Sequence, residues 1–203
     1  MRAKTVSAVT PLGIAVLALL VERQMHPYEM YQLLIQRRED WIVKVRPGSL
    51  YHTVDRMAEQ KLVRSAGTDR DGNRPERTIY DITATGRDAL TARVTELLAN
   101  PIREYPLFPL ALAEAHNLPA DTAVTLLRQR VAALDTEIAE LDAMAEFVRS
   151  DNVPRVYWLN IEYARTVVAA QVDWLRQLID QIVDGSLPWQ CIKINHSAES
   201  RLT

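Results

Sequence analysis

Apolar residues recur along this chain in two rhythms, and the change of rhythm divides it. Residues 12–21 form an almost continuous apolar run opened by Thr10-Pro11, a pairing that caps a helix and fixes its first turn. The pattern predicts a buried helix over 11–22. A second helix is predicted from Pro27 to about Arg38, with Met30, Leu33 and Leu34 facing inward. The apolar connector Trp41-Ile42-Val43 is expected to pack under a third helix, whose approach is basic through Lys44 and Arg46. Pro47-Gly48 punctuates the chain, and Leu50, Val54, Met57 and Leu62 then bury one face, leaving Ser49, His52, Thr53 and Arg56 on the other. Two short runs, 63–68 and 77–82, flank Asp71-Gly72-Asn73 and predict a β-hairpin, with Arg70, Arg74 and Arg77 at its tip and base. Thr83 caps a fourth predicted helix running through Leu90 and Val94 to Leu98, and Asn100-Pro101 stops it. The domain boundary is placed there, giving domains 1–99 and 100–203.

Beyond that boundary a short helix is expected near 107–115. Val124, Leu127, Val131, Leu134, Ile138, Leu141, Ala145 and Val148 then alternate spacings of three and four, a heptad seam. Asp151, Asn152 and Pro154 break it. A last helix is predicted to Asp184, with Ile161, Val168, Leu175 and Ile182 seven apart, Val172 and Ile179 beside them, and Gly185 as its cap. Periodicity alone allows an intramolecular hairpin or a dimer. Both are expected here, with Val124, Leu127, Val131, Leu134, Ile138, Leu141, Ile161, Val168 and Leu175 at a dimer interface. The predicted fold is mainly α: an N-terminal winged helix-turn-helix domain with a two-stranded β wing, then a C-terminal α-helical, coiled-coil-like dimerisation domain.

Charge changes the picture further. The net charge of −2 argues against a protein that coats DNA indiscriminately, but residues 1–100 carry 15 Lys and Arg against 12 Asp and Glu, whereas 101–203 carry nine against 14. Any nucleic-acid surface therefore belongs to the first half. A helix with a polar outer face followed by an arginine-tipped hairpin offers side chains to a groove and positive charge to flanking phosphates. The lone Cys191 excludes an intrachain disulfide and fits a reducing cytoplasm. The run behind Arg2 and Lys4 imitates a secretory signal but meets Glu22-Arg23 without a small-residue cleavage pattern, and it is too short to span a bilayer. A cytoplasmic location is expected, and the acceptor-like Asn195-His196-Ser197 then carries no meaning.

Particular residues of the first domain resemble the PadR-type transcriptional regulators. They are His26-Pro27-Tyr28-Glu29 at the entry to the second helix, Gly48-Ser49-Leu50-Tyr51 at the start of the third, and Asn73-Arg74-Pro75-Glu76-Arg77 with Tyr80, Thr83 and Gly86 in the hairpin and its exit. The resemblance covers roughly the first 95 residues. Lys61 stands where members commonly carry glycine, which leaves a left-handed cap there an open question, and His52 stands where many have proline. The resemblance implies a C-terminal helical domain that dimerises by mutual embrace, and it makes Tyr28 and Tyr51 phosphate or groove contacts, although a tyrosine at helical spacing is as often core.

The expected function is that of a dimeric DNA-binding transcriptional regulator, a repressor on an inverted-repeat operator. The candidate DNA contacts are Tyr28, Lys44, Arg46, Ser49, Tyr51, His52, Thr53, Arg56, Arg70, Arg74 and Arg77. By resemblance a small aromatic or apolar ligand would release it, with Tyr157, Trp158, Tyr163 and Trp174 as candidate pocket residues, Trp189 nearby, and core packing as the alternative for each. No cofactor, metal site or catalysis is expected: His26, His52, His116 and His196 are scattered, and no phosphate-cradling glycine loop is present. The acids Asp135, Glu137, Glu140, Asp142 and Glu146 lie off the seam and read as a solvated face. An activator on the same scaffold, or a winged helix used for protein interaction, remain the alternatives.

Overall fold

The computed structural model describes residues 9–69 and 77–189. The chain forms two compact units, Met1–Glu104 and Tyr105–Thr203. In the first, α1 (Pro11–Glu22), α2 (Pro27–Gln36) and α3 (Pro47–Glu59) are followed by β1 (Val63–Asp69), β2 (Arg77–Ile82) and α4 (Ala84–Ala99). The Thr10 hydroxyl accepts the Gly13 N–H and so caps α1, with Pro11 at its first position. Because α1 is apolar nearly all round, it sits in the middle of the core, with Val16, Leu17, Leu19 and Leu20 sealed from solvent. Met25, Met30 and Leu34 from around α2, Leu50, Val54 and Met57 from α3, and Leu62, Val63 and Ile82 from the hairpin close that core.

Two expectations for this unit are corrected. The second helix ends at Gln36, and left-handed Arg38 leads into a 3-10 turn over Glu39–Trp41. The connector does not pack as a whole under α3: Val43 joins the core with Val45, while Trp41 and Ile42 stay exposed because that turn points them outward.

Strands β1 and β2 pair antiparallel from Val63 opposite Ile82 to Asp69 opposite Arg77, with a bulge between Ser65 and Gly67 where the glycine takes a positive φ. The predicted Asp71-Gly72-Asn73 turn lies outside the described residues. An isolated bridge between Met25 and Tyr80 ties the loop before α2 to the wing, so the wing's root is held by both ends of the helix-turn-helix.

The junction between α3 and α4 is the tightest part of the unit. Lys61 adopts φ 62°, so the left-handed cap that the sequence left open is present and is made by a lysine. This turns the Leu62 carbonyl onto the start of α4, where it accepts the Thr83 N–H, while the Thr83 hydroxyl donates to the Lys61 carbonyl and accepts the Gly86 N–H. A non-glycine residue in this conformation costs roughly 1–2 kcal/mol. Lys61 is exposed, with a side chain free to be removed. Lys61→Gly should therefore raise the unit's stability by about 1 kcal/mol and its melting temperature with it; a lower melting temperature would mean that the lysine stem packs usefully.

In the second unit, a short α5 (Leu107–Ala113) precedes two long helices, α6 (Ala120–Ser150) and α7 (Leu159–Val183). These form an antiparallel hairpin. Leu127, Leu134 and Leu141 of α6 interleave with Ile161, Val168, Val172, Leu175 and Ile179 of α7, and Leu175 is completely buried. Asp135 takes Arg176 and Asp142 takes Arg165 across the pair, and both acids stay exposed on the solvated face expected of them. Such exposed pairs add little stability; their use is to disfavour slipped pairings. Gly185, at φ 78°, terminates α7 as expected.

The seam residues proposed for a dimer interface are thus used within one chain. Val124, Leu127, Leu134, Leu141, Ile161, Val168 and Leu175 are buried in the hairpin, and Val131 and Ile138 pack against them. An apolar stripe already covered by its own neighbour has no surface left to offer another copy, so the interface assigned to these nine residues is withdrawn.

Candidate nucleic-acid interface

Helix α3 presents its polar side outward because Leu50, Val54 and Met57 claim the opposite side for the core. At about 100° per residue, Ser49, His52, Asp55, Arg56 and Glu59 fall within one arc centred on His52, and all five are exposed. Lys44 and Arg46 are exposed just ahead of the helix, and Tyr51, 40% exposed, sits at the edge of the arc. Thr53 departs from expectation: it is 8% exposed, and its hydroxyl donates to the Ser49 carbonyl at 2.8 Å. Turned about 100° from His52, it reaches the core side, and its one donor is spent within the helix, so it is removed from the candidate contacts. Arg56 lies in the last turn and donates to the Thr10 hydroxyl at 3.3 Å, which tethers its guanidinium to the start of α1.

At the other edge of α3 a second group of residues gathers. His26 caps α2: its Nδ1 accepts the Tyr28 N–H at 3.0 Å, and its ring meets Tyr51 edge-on with centroids 6.1 Å apart. The Arg77 guanidinium, from the loop end of β2, stands over the Tyr28 ring at 5.7 Å, and Gln32 donates to the Tyr28 hydroxyl at 2.8 Å. Arg23 pairs with Glu29 at 2.6 Å. Between these side chains opens a cleft of about 470 Å³ lined by Arg23, His26, Tyr28, Glu29, Gln32 and Arg77. Burial holds the His26 imidazole below its ordinary range, the positive charge of Arg77 adds to this, and Glu29 opposes both. The uncharged ring is also the form that can accept the capping N–H at a helix N-terminus. Tyr80, behind this group, has its phenol pushed up by burial and then by the carboxylate of Asp55.

The structure therefore brings Tyr28, Tyr51 and Arg77 together through His26, and it places Ser49, His52 and Arg56 along the adjacent helix face. Tyr28 is 46% exposed and Tyr51 40%, so neither is a core tyrosine. Arg70 and Arg74 lie outside the described residues. Arg23, His26 and Gln32 were absent from the candidates. Their signal was partly present, since His26-Pro27 is a helix start and Gln32 is one turn from Tyr28, but the meeting of Arg77 of the wing with α2 is a tertiary event. Asp55 and Glu59, three and seven residues beyond His52, share the outward arc, although an acid does not by itself suit a surface meant for phosphate.

The four candidate pocket aromatics do not form one group. Trp158 is a core residue, 6% exposed, whose indole N–H donates to the Val153 carbonyl, so its place in an effector pocket is withdrawn. Tyr157, Tyr163 and Trp174 are exposed. Trp189 packs against the hairpin and donates to the Leu118 carbonyl at 2.9 Å. Among the described residues no group of His, Cys, Asp and Glu is placed to hold a metal ion, and no helix is long and apolar enough to cross a membrane.

Three helices, a two-stranded wing and a separate helical hairpin define a winged-helix regulator architecture. Residues 16–92 match the model of the transcriptional regulator PadR-like family. No curated protein matches the chain. Among solved structures, PadR of Bacillus subtilis in complex with operator DNA is 16% identical, with a TM-score of 0.71 over 83% of this chain and 97% of that one. The same protein in complex with p-coumaric acid is 16% identical, with a TM-score of 0.68 over 86% and 98%. The virulence activator AphA of Vibrio cholerae is 17% identical, with a TM-score of 0.65 over 86% and 99%. At these identities the likeness shows the fold.

Proposed function

We propose that this transcriptional regulator is a homodimeric repressor that places α3 of each subunit in a major groove of an inverted-repeat operator. The observation that carries the reading is the outward arc of Ser49, His52 and Arg56 on the helix beside the cleft where Arg77 of the wing meets Tyr28. Such an arrangement offers base-edge contacts from a helix and backbone contacts from a flanking cation. Ser49, Tyr51, His52 and Arg56 are proposed to face the groove. Tyr28, Lys44, Arg46, Arg70, Arg74 and Arg77 are proposed to meet phosphate.

Dimerisation is assigned to a different surface from the heptad seam. Leu159, Tyr163, Val167 and Trp174 are all exposed and follow one another at helical spacing on the side of α7 away from Ile161, Val168 and Leu175. A helix that is apolar on two opposite sides has one side too many for a hairpin. A second copy laid on this stripe would bury it and hold two reading heads at a fixed spacing. Tyr163 and Trp174 then fall at or near the interface, where a small aromatic or apolar ligand could stack. Such a ligand releases DNA only if it binds the DNA-incompetent spacing better than the competent one.

The test is fluorescence anisotropy of labelled DNA from upstream of the protein's own gene, titrated at several salt concentrations beside a scrambled duplex. Selective binding is expected, weakening with salt by about 0.9 log units per log unit of salt for each phosphate neutralised. Equal, weak binding to both duplexes would favour a protein-interaction module. An activator would make the same contacts, and expression of the bound gene after deletion separates it from a repressor: expression should rise.

A further inference from the structure

We infer that Asp55 reads a cytosine in the major groove, its carboxylate accepting a hydrogen bond from the base's N4 amino group. The inference rests on the DNA-binding reading of α3 and adds to it a specificity-determining residue. Asp55 is exposed and follows Ser49 and His52 at steps of three along the outward arc, about 4.5 Å beyond His52 at 1.5 Å per residue. That displacement carries it to a base step adjacent to the one His52 faces. Its helical neighbours three and four positions away are Tyr51, His52, Ala58 and Glu59, so no cation on α3 is placed to neutralise it. Glu22, Glu29, Asp81 and Glu96 of this unit each hold an arginine, whereas Asp55, like Glu59 on the same arc, is in no ion pair among the described residues.

An anion on a face that meets DNA is repelled by phosphate and loses water on docking, so it needs a hydrogen-bond donor there. The major groove offers two, the amino groups of cytosine N4 and adenine N6. Adenine sets its N7 acceptor beside the amino group, where a carboxylate oxygen would meet another lone pair. Cytosine has no such acceptor on its own edge. The chemistry therefore selects cytosine, and it makes Asp55 a residue that lowers general affinity while raising discrimination.

The experiment is selection of the full-length chain against a duplex library randomised in both half-sites, with wild type, Asp55→Asn, Asp55→Ala and Glu59→Gln in parallel. Far-UV circular dichroism confirms that each variant is folded, as expected for exposed positions. Wild type should prefer cytosine about tenfold at one position of each half-site. Asp55→Ala should lose that preference and bind a non-specific duplex at least as tightly as wild type. Asp55→Asn should shift it to adenine, whose N6 and N7 suit an amide. Glu59→Gln removes an equal charge and should leave the preference in place. The inference is overturned if both Asp55 variants select the wild-type sequence, or if Glu59→Gln alters the same position as strongly. A wild type that selects no sequence would instead remove the DNA-binding reading, and the inference with it.

Discussion

Gly86→Ala is expected to unfold the N-terminal unit at or near physiological temperature. A Cβ built on Gly86 would lie 2.1 Å from the Leu62 carbonyl oxygen and 2.9 Å from Ile82, contacts no packed structure accommodates. The nearer obstacle is backbone and cannot rotate away. The Leu62 carbonyl also cannot retreat cheaply, because it accepts the Thr83 N–H and lies beside the left-handed Lys61. Opening this junction separates α4 from the end of α3 and exposes Leu62 and Ile82, so the cost should be about 3 kcal/mol or more, a large share of a small unit's stability. Thermal melting followed by circular dichroism measures it. A variant that melts within a degree or two of wild type would show that α4 does not sit where it is described.

Leu175→Asp should have a comparable effect on the second unit. Leu175 is completely buried between α6 and α7, and a carboxylate there is too short to reach water. Losing the leucine's burial costs about 2–5 kcal/mol, and an unpartnered buried charge adds to that. The helical signal of the unit should fall together with its melting temperature. The alternative outcome is informative. If Leu175→Asp keeps wild-type helicity and stability but has half the wild-type mass in light scattering, the heptad seam faces a second copy after all, and the hairpin packing is wrong. Tyr163→Lys on the exposed stripe is the reciprocal variant, expected to stay fully helical while weakening self-association.

The two variants mark where sequence reasoning succeeded and where it stopped. The order of elements was legible because local signals are dense in this chain. Thr10-Pro11 and Thr83 both cap helices in the structure, the interval 63–82 holds a hairpin, and the seam residues from Val124 to Ile182 do form a core. The outward face of α3 was equally readable for Ser49, His52 and Arg56. It failed at Thr53, which stands at the edge of the arc, where a rotation of a few tens of degrees decides between groove and core. The Arg77–Tyr28–His26 group was beyond it, since those residues meet only when the wing folds back on α2.

By itself, the sequence determined the elements, their caps, the sites of the two cores and the family that the first domain resembles. These depend on residues close together in the chain, or on a period that one segment states completely. Only the tertiary structure decided what each apolar stripe faces. A heptad seam requires a partner helix without saying whose. Here α7 supplies it from the same chain, because a short connection between 150 and 159 brings α6 and α7 together at a local concentration that a second molecule cannot match. That choice freed the far side of α7, with Tyr163 and Trp174, as the surface still to be covered.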